Sequence, residues 1–201
     1  MKKGYIVLIA VIAVFLIIFM WVKGIYNNMV TQDEAVTAQW HQVETQYQRR
    51  LDLIPNLVST VQGYANFEKS TLTDVINARA SATKVTIDPS HLDAASLQQF
   101  QQAQQQVSSS LSRLLVSVEN YPDLKADQNF MALQAQLEGT ENRIATERRR
   151  FNEVAQGFNT YIRRFPQNIF AGMFGMQSRA YFESDSAASQ APKVSFPDNK
   201  K

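Results

Sequence analysis

From Trp40 to Arg79 the chain reads WHQVETQYQRRLDLIPNLVSTVQGYANFEKSTLTDVINAR, and this stretch constrains the fold more than any other. Trp40, Val43, Tyr47, Ile54, Val58, Val61, Ala65, Leu72 and Val75 recur at the spacing of one buried helix face. Arg50, Glu68 and Arg79 fall on that same stripe. From Arg50 to Glu68 is 18 positions, about five whole turns, so the two point the same way unless Pro55 rotates the upper part of the helix. Charges on an otherwise apolar face need partners, because an unpaired buried charge is costly.

Upstream, Tyr5 to Val22 is a run of 18 residues without a charge, Pro or Gly, about the minimum that crosses a hydrocarbon core of roughly 30 Å. It exceeds the usual signal-peptide core of about 7 to 15 residues. It ends in Trp21 and Val22, with Lys23 next, where a cleavage site would need small residues. We read a single uncleaved membrane span. Lys2 and Lys3 before it outweigh Lys23 after it, which favours the amino terminus in the cytoplasm and the bulk of the chain outside.

The expected organisation is a flank (1–4), the span (5–22), a polar connector (23–34) that can continue the span's helix, a helical domain (35–183) and a loose tail (184–201) rich in Ser, Ala, Pro and Asp. A first helix is expected over 35–84, kinked at Pro55, which frees the carbonyl of Leu51. Asp88-Pro89-Ser90 is a turn signal, with Asp88 or Ser90 as cap for a second helix over 96–119. Phe100, Ala103, Val107, Leu111, Leu114 and Val118 give that helix one apolar face, so its glutamine run reads as a solvated side. Asn120-Tyr121-Pro122-Asp123 breaks it, and Asp127 is placed to cap a third helix over 128–165. A short fourth helix is expected over 168–182. With the first helix leaving the membrane, the second returning and the third leaving again, Arg163 and the sequence IFAGMFGM are expected at the far end, the Met and Phe side chains in the core.

Composition removes several function classes. Lys2, Lys3 and Lys23 flank the span, and the remainder carries 17 basic against 18 acidic residues, which is no nucleic-acid footprint. There is no cysteine, hence no disulfide or thiolate chemistry. No HExxH, GxSxG, phosphate-binding or dinucleotide glycine motif occurs. His41 and His91 are isolated, and paired carboxylates such as Glu138 with Glu141 read as solvated helix faces. No cofactor or metal is expected, and no catalytic residue.

A second polar stripe runs along the third helix. Glu141, Arg148, Asn152 and Asn159 are 7, 4 and 7 positions apart, within about 40° of one another at the edge of the apolar face. Two readings of Arg50, Glu68, Arg79, Glu141, Arg148, Asn152 and Asn159 stand. They form a ladder that fixes helix register, since removing one member of a buried pair costs about 3 to 5 kcal/mol, or they line a groove for an anionic or peptide ligand.

Several longer motifs stand in the chain: W-x-x-V-E-x-Q-Y-x-R-R-x-D-L-I-P-N-L-V from Trp40, Gly63-Tyr64, Glu68 and Asn77-Ala78-Arg79. They continue in Tyr121-Pro122-Asp123-Leu124-Lys125-Ala126, F-x-x-L-Q-x-Q-L-E-G-T-E-N-R-I from Phe130, R-x-x-x-N at Arg148, and F-N-x-x-I-R-x-F-P from Phe158. In these motifs the chain resembles the bacterial LemA family. Phe151 and Phe158 stand where the family usually has Tyr, which leaves a packing role and removes two hydroxyls. The resemblance implies a membrane-anchored, elongated helical bundle with no settled activity, and a related branch that acts in magnetosome formation implies membrane-associated organisation.

The sequence thus predicts an all-α protein: an N-terminal transmembrane helix, then an antiparallel bundle of three long helices and a short fourth. Its predicted role is non-enzymatic, an interaction or scaffolding module for envelope proteins at the bacterial cytoplasmic membrane, or else a ligand- or peptide-sensing module that uses the polar stripe.

Overall fold

The computed structural model describes residues 2–64, 68–89 and 92–183, with side chains from Gly4 onward, and among them there are helices but no strand. α1 spans Lys2–Gln62, α2 Lys69–Thr83, α3 Ala94–Val118, α4 Pro122–Lys125, α5 Gln128–Arg163 and α6 Gln167–Met173. The chain is all-α, a long apolar N-terminal helix leading into a bundle.

No break separates span from bundle. α1 is 61 residues long, about 90 Å, and the expected connector over 23–34 is simply helix. Ile25, Met29, Val36, Trp40 and Val43 already hold the buried period there. Polar bonds one turn apart, Thr31 to the Asn27 carbonyl at 2.9 Å and Gln32 to Asn28 at 2.6 Å, support the exposed side.

The helix expected over 35–84 is two helices, and the break is not at the proline. α1 runs through Pro55. The carbonyl of Leu51, which loses its helical donor to the proline ring, instead accepts from Arg79 Nε at 2.9 Å. α1 ends seven residues later, at Gln62, where the Tyr64 amide bonds back to the Val61 carbonyl at 3.1 Å. Ala65, expected on the apolar stripe, lies outside the described residues. Because the chain turns there, the five-turn count from Arg50 to Glu68 does not apply, and the two do not share a face.

That additional turn reverses everything downstream. α1 leaves the span, α2 returns, α3 leaves again and α5 returns. Asp74 with Arg113 at 3.3 Å ties α2 to α3 in antiparallel register. Gln39 with Glu147 at 2.8 Å and Tyr64 with Asp127 at 3.1 Å do the same for α1 and α5. Arg163 and α6 therefore lie at the span end, not at the far end, and Phe170 sits edge-on to Trp21 with ring centroids 6.0 Å apart. Of the Met and Phe set expected in the core, Met173 and Phe174 are exposed.

Capping sets the remaining boundaries. Asp93, rather than Asp88 or Ser90, accepts from the Ser96 amide at 2.7 Å and starts α3, while Ser90 and His91 lie outside the described residues. Asp127 accepts from the Phe130 amide at 2.9 Å and starts α5, as its spacing predicts. The helix expected over 168–182 stops at Met173. Gly175 follows with a φ of +70°, a conformation that favours glycine, and residues 176–183 run as an extended strap against the bundle. The tail over 184–201 lies outside the described residues.

Two buried clusters fill the bundle. The one nearer the span contains Trp40, Tyr47, Phe100, Phe151, Phe158 and Phe182. The far one is mainly aliphatic, with Leu51, Leu57, Val61, Val75, Leu111 and Leu114.

Candidate functional site

Arg50 marks the junction of the two clusters. It follows the stripe of α1 inward and is 1% exposed, so its guanidinium must be satisfied by protein groups. Nη1 donates to Ser108 Oγ at 2.7 Å and to Glu141 Oε1, and Nη2 donates to Gln104 Oε1 at 2.6 Å and to the Gln104 carbonyl at 3.2 Å. The guanidinium carbon also lies 5.2 Å from the centre of the Tyr47 ring. One arginine thereby ties α1 to α3 and α5 in one plane across the bundle. The Glu141 side chain stays 45% exposed, so the arrangement is a buried cation with its counter-ion at the surface.

Beside this pair opens a cleft of about 290 Å³, lined by Tyr47, Arg50, Gln101, Gln104, Glu141 and Arg148 among others. Arg50 Nε is itself buried without a hydrogen-bond partner. Burial pushes the Tyr47 phenol above its ordinary range, against the opposing pull of the Arg148 and Arg50 charges.

The rest of the α5 stripe holds the strap. Asn152 donates to the Phe182 carbonyl at 2.9 Å and accepts from the Phe182 amide at 2.8 Å. Asn159 does the same for Arg179, at 2.8 Å in both directions, and also donates to the Tyr181 hydroxyl at 2.9 Å. Each carboxamide presents one donor and one acceptor, the complement of a peptide unit. The spacing explains the pairing: seven helical residues rise about 10.5 Å, and the three residues from Arg179 to Phe182 in extended chain cover about 10 Å. Arg148 completes the row, donating to the Glu183 carbonyl at 2.8 Å with its guanidinium 4.9 Å from the Phe182 ring centre.

The seven predicted stripe residues thus divide. Arg50, Glu141 and Arg148 meet at the cleft, Asn152 and Asn159 grip the strap, and Arg79 repairs the proline gap. Glu68 is exposed at the start of α2, 3.4 Å from the Thr71 hydroxyl, and takes no part. Sequence reasoning missed Gln104 and Ser108, hidden in a glutamine- and serine-rich face, and Tyr47, counted as an apolar position. It also missed the Asp33–Arg179 pair at 2.7 Å that ties α1 to the strap, because Arg179 belongs to no periodic pattern. Among the described residues no group of three His or acidic side chains is arranged to hold a metal ion. His41 is exposed beside Glu44 at 3.2 Å.

The model of the LemA family matches residues 39–196. The chain belongs to the LemA family. It is 23% identical to Protein LemA of Metamycoplasma hominis over 91% of this chain and 80% of that protein. It is 26% identical to Magnetosome protein MamQ 2 of Paramagnetospirillum magneticum over 81% of this chain, and to MamQ of Magnetospirillum gryphiswaldense over the same share. In both, the matched stretch spans 66% of the relative's own length.

The LemA motifs quoted above converge on the geometry just described. Trp40, Tyr47 and Arg50 come from the first, Glu141 from the G-T-E of α5, and Arg148 with Asn152 from R-x-x-x-N. Phe151 and Phe158, the two departures from the LemA pattern, are fully buried. Phe151 packs edge-on to Trp40 and Phe182 at 5.9 and 5.4 Å, so an added hydroxyl on that ring would meet a crowded aromatic core.

Proposed function

We propose that this chain is a non-enzymatic scaffold of the bacterial cytoplasmic membrane, which presents a fixed helical surface to other envelope proteins. The observation that carries the reading is the continuity of α1. The forty residues from Lys23 to Gln62 reach about 60 Å beyond the span, and no flexible joint separates anchor from bundle. The bundle's own polar groups are largely spent on one another and on the strap, which suits a structural surface more than a reaction site. Relatives named as magnetosome proteins support membrane-associated organisation. The lysine balance, Lys2 and Lys3 before the span against Lys23 after it, favours the bundle outside the cytoplasm.

Proximity labelling from an enzyme fused at the C-terminus tests compartment and partners together. A reproducible set of envelope proteins supports the scaffold. Labelling confined to cytoplasmic proteins overturns the orientation, and the recovery of no reproducible neighbour from intact membranes, also after crosslinking, overturns the role.

A second reading has its own observation: Arg50 and the half-buried Arg148 line one cleft, two cations that suit a small carboxylate or phosphate. If acetate, phosphate and short acidic peptides all fail to raise the melting temperature, and Arg50→Ala and Arg148→Ala merely lower it, the cleft is structural.

A further inference from the structure

Because the turn at Gly63 sends α5 back towards the span, the chain carries an apolar surface at the level where α1 enters the membrane. Phe165, Ile169 and Met173 are 81%, 53% and 72% exposed, while Ala171 is buried and Phe170 half-buried against the bundle. Ile169 and Met173 are one turn apart on α6 and share its outer side. Phe170 meets Trp21, and Phe174 meets Tyr26 with ring centroids 4.9 Å apart. Arg163 and Arg164, immediately before this surface, are exposed.

The depth of α6 follows from its neighbour. The run from Tyr5 to Val22 rises about 27 Å, nearly the whole hydrocarbon thickness of about 30 Å. Trp21, at its end, therefore falls at the headgroup boundary where tryptophan concentrates. A helix in ring contact with Trp21 stands at that same boundary. We propose that α6 is a second membrane contact, lying in the headgroup layer of the bilayer that α1 crosses, with Phe165, Ile169 and Met173 in the lipid and the two arginines on lipid phosphates. The bilayer is favoured over a protein partner because covalent continuity with α1 already puts it there. Two contacts fix what a lone span leaves free, the tilt and rotation of the bundle relative to the membrane.

The absence of cysteine allows clean single-site labelling of the full chain. Met173→Cys, Met131→Cys on the far end of α5 and Ile12→Cys in the span each receive a polarity-sensitive fluorophore. The proteins are reconstituted into phosphatidylcholine vesicles, with or without phosphatidylglycerol, and quenched with lipids spin-labelled near the headgroup or deep in the chains. The label at position 173 is expected to be quenched by the shallow probe at least about threefold more than that at 131, at a depth of roughly 5 to 10 Å. Quenching is expected to fall when Phe165 and Ile169 are changed to Ser. Deep quenching at position 12 reports the span itself, so its presence with no shallow quenching at 173 overturns this inference alone. A blue shift at 173 that disappears at high lipid-to-protein ratio assigns the surface to a second copy and overturns it as well. Added phosphatidylglycerol is expected to increase quenching at 173, and Arg163→Gln with Arg164→Gln to abolish the increase; no response to the anionic lipid removes the arginines from the proposal.

Discussion

The half of the bundle nearer the span is packed with rings and the far half with branched aliphatics, and the two halves are held by different means. Near the span, Trp40 touches Phe100, Phe151 and Phe182, and the layer that closes the core is the strap, an extended segment held by side chains of α5. In the far half, α2 packs on α3 as a regular helix pair and also meets α1. A helix satisfies its own backbone; a strap cannot. Asn152, Asn159 and Arg148 exist on α5 because the backbone of residues 179–183 needs external partners, whereas α2 needs none of them. The difference teaches that the polar stripe follows from what covers the core.

The most direct way to break this comparison is Trp40→Ala. Removing a fully buried indole costs about 3 to 5 kcal/mol. If the halves differ as described, hydrogen exchange should rise first in the strap and at the start of α3, with α2 and the far part of α3 still protected. A single loss of protection over the whole chain would show that the halves unfold as one unit.

Arg50 stands between the halves and tests whether they are coupled. Arg50→Ala is expected to cost about 2 to 3 kcal/mol in urea unfolding, because the buried Gln104 and the half-buried Ser108 lose their partner. Glu141→Gln is expected to cost less than about 1 kcal/mol, since that carboxylate is already half in water. Equal losses from the two would mean that the ion pair itself, more than the desolvated arginine, governs the junction.

Much of this was legible in advance, for reasons that can be named. The periods of α1, α3 and α5 are properties of single helices, so the residues that face inward, Arg50 included, follow from spacing alone. So does the Asp127 cap. The reversal at Gly63 did not follow, because the apolar period runs on through Ala65 and Leu72 and because Pro55 is the stronger breaker by local rules. The carbonyl that the proline frees is met by Arg79, which arrives from α2, and no local rule contains a donor supplied 28 residues away. One missed turn then inverted the direction of α5 and put α6 at the wrong end. The strap escapes a local reading for a related reason: Tyr181 and Phe182 extend the apolar pattern of α6, but the bonds that hold them belong to Asn152 and Asn159.

Alkaline pH separates the halves by a smaller effect. Tyr47 has its folded pKa raised by burial, so below pH 10 the phenol is protonated folded and unfolded, and stability is unaffected. Above about pH 10 the unfolded chain loses the proton first, and stability should fall by up to about 1.4 kcal/mol per pH unit until the folded phenol also ionises. Tyr47→Phe should remove this part of the alkaline loss, measured by urea unfolding between pH 9 and 11. Tyr64, in the far half, is also shifted upward, by desolvation and by its bond to Asp127, but it is partly exposed. Tyr64→Phe should therefore change the profile less.

The strap gives a local version of the same test. Asn152→Ala removes both bonds to Phe182 and is expected to cost about 1 to 2 kcal/mol, read as faster proteolysis after Tyr181 with unchanged exchange in α2. Asn152→Asp keeps the acceptor, loses the donor and should fall between.

The smallest expected effect asks whether the far half also depends on a long-range polar bond. Arg79→Ala leaves the Leu51 carbonyl without a donor at the proline, a loss of about 1 kcal/mol for a partly buried group. Pro55→Ala supplies the missing amide from within α1, at a position where the helix already has its geometry. In that background the Arg79→Ala loss should shrink towards zero, giving a coupling of roughly 0.5 to 1 kcal/mol in a double-mutant cycle of urea midpoints. Additive losses would mean that Arg79 acts through its packing against α1, and that the far half is held by apolar contact alone.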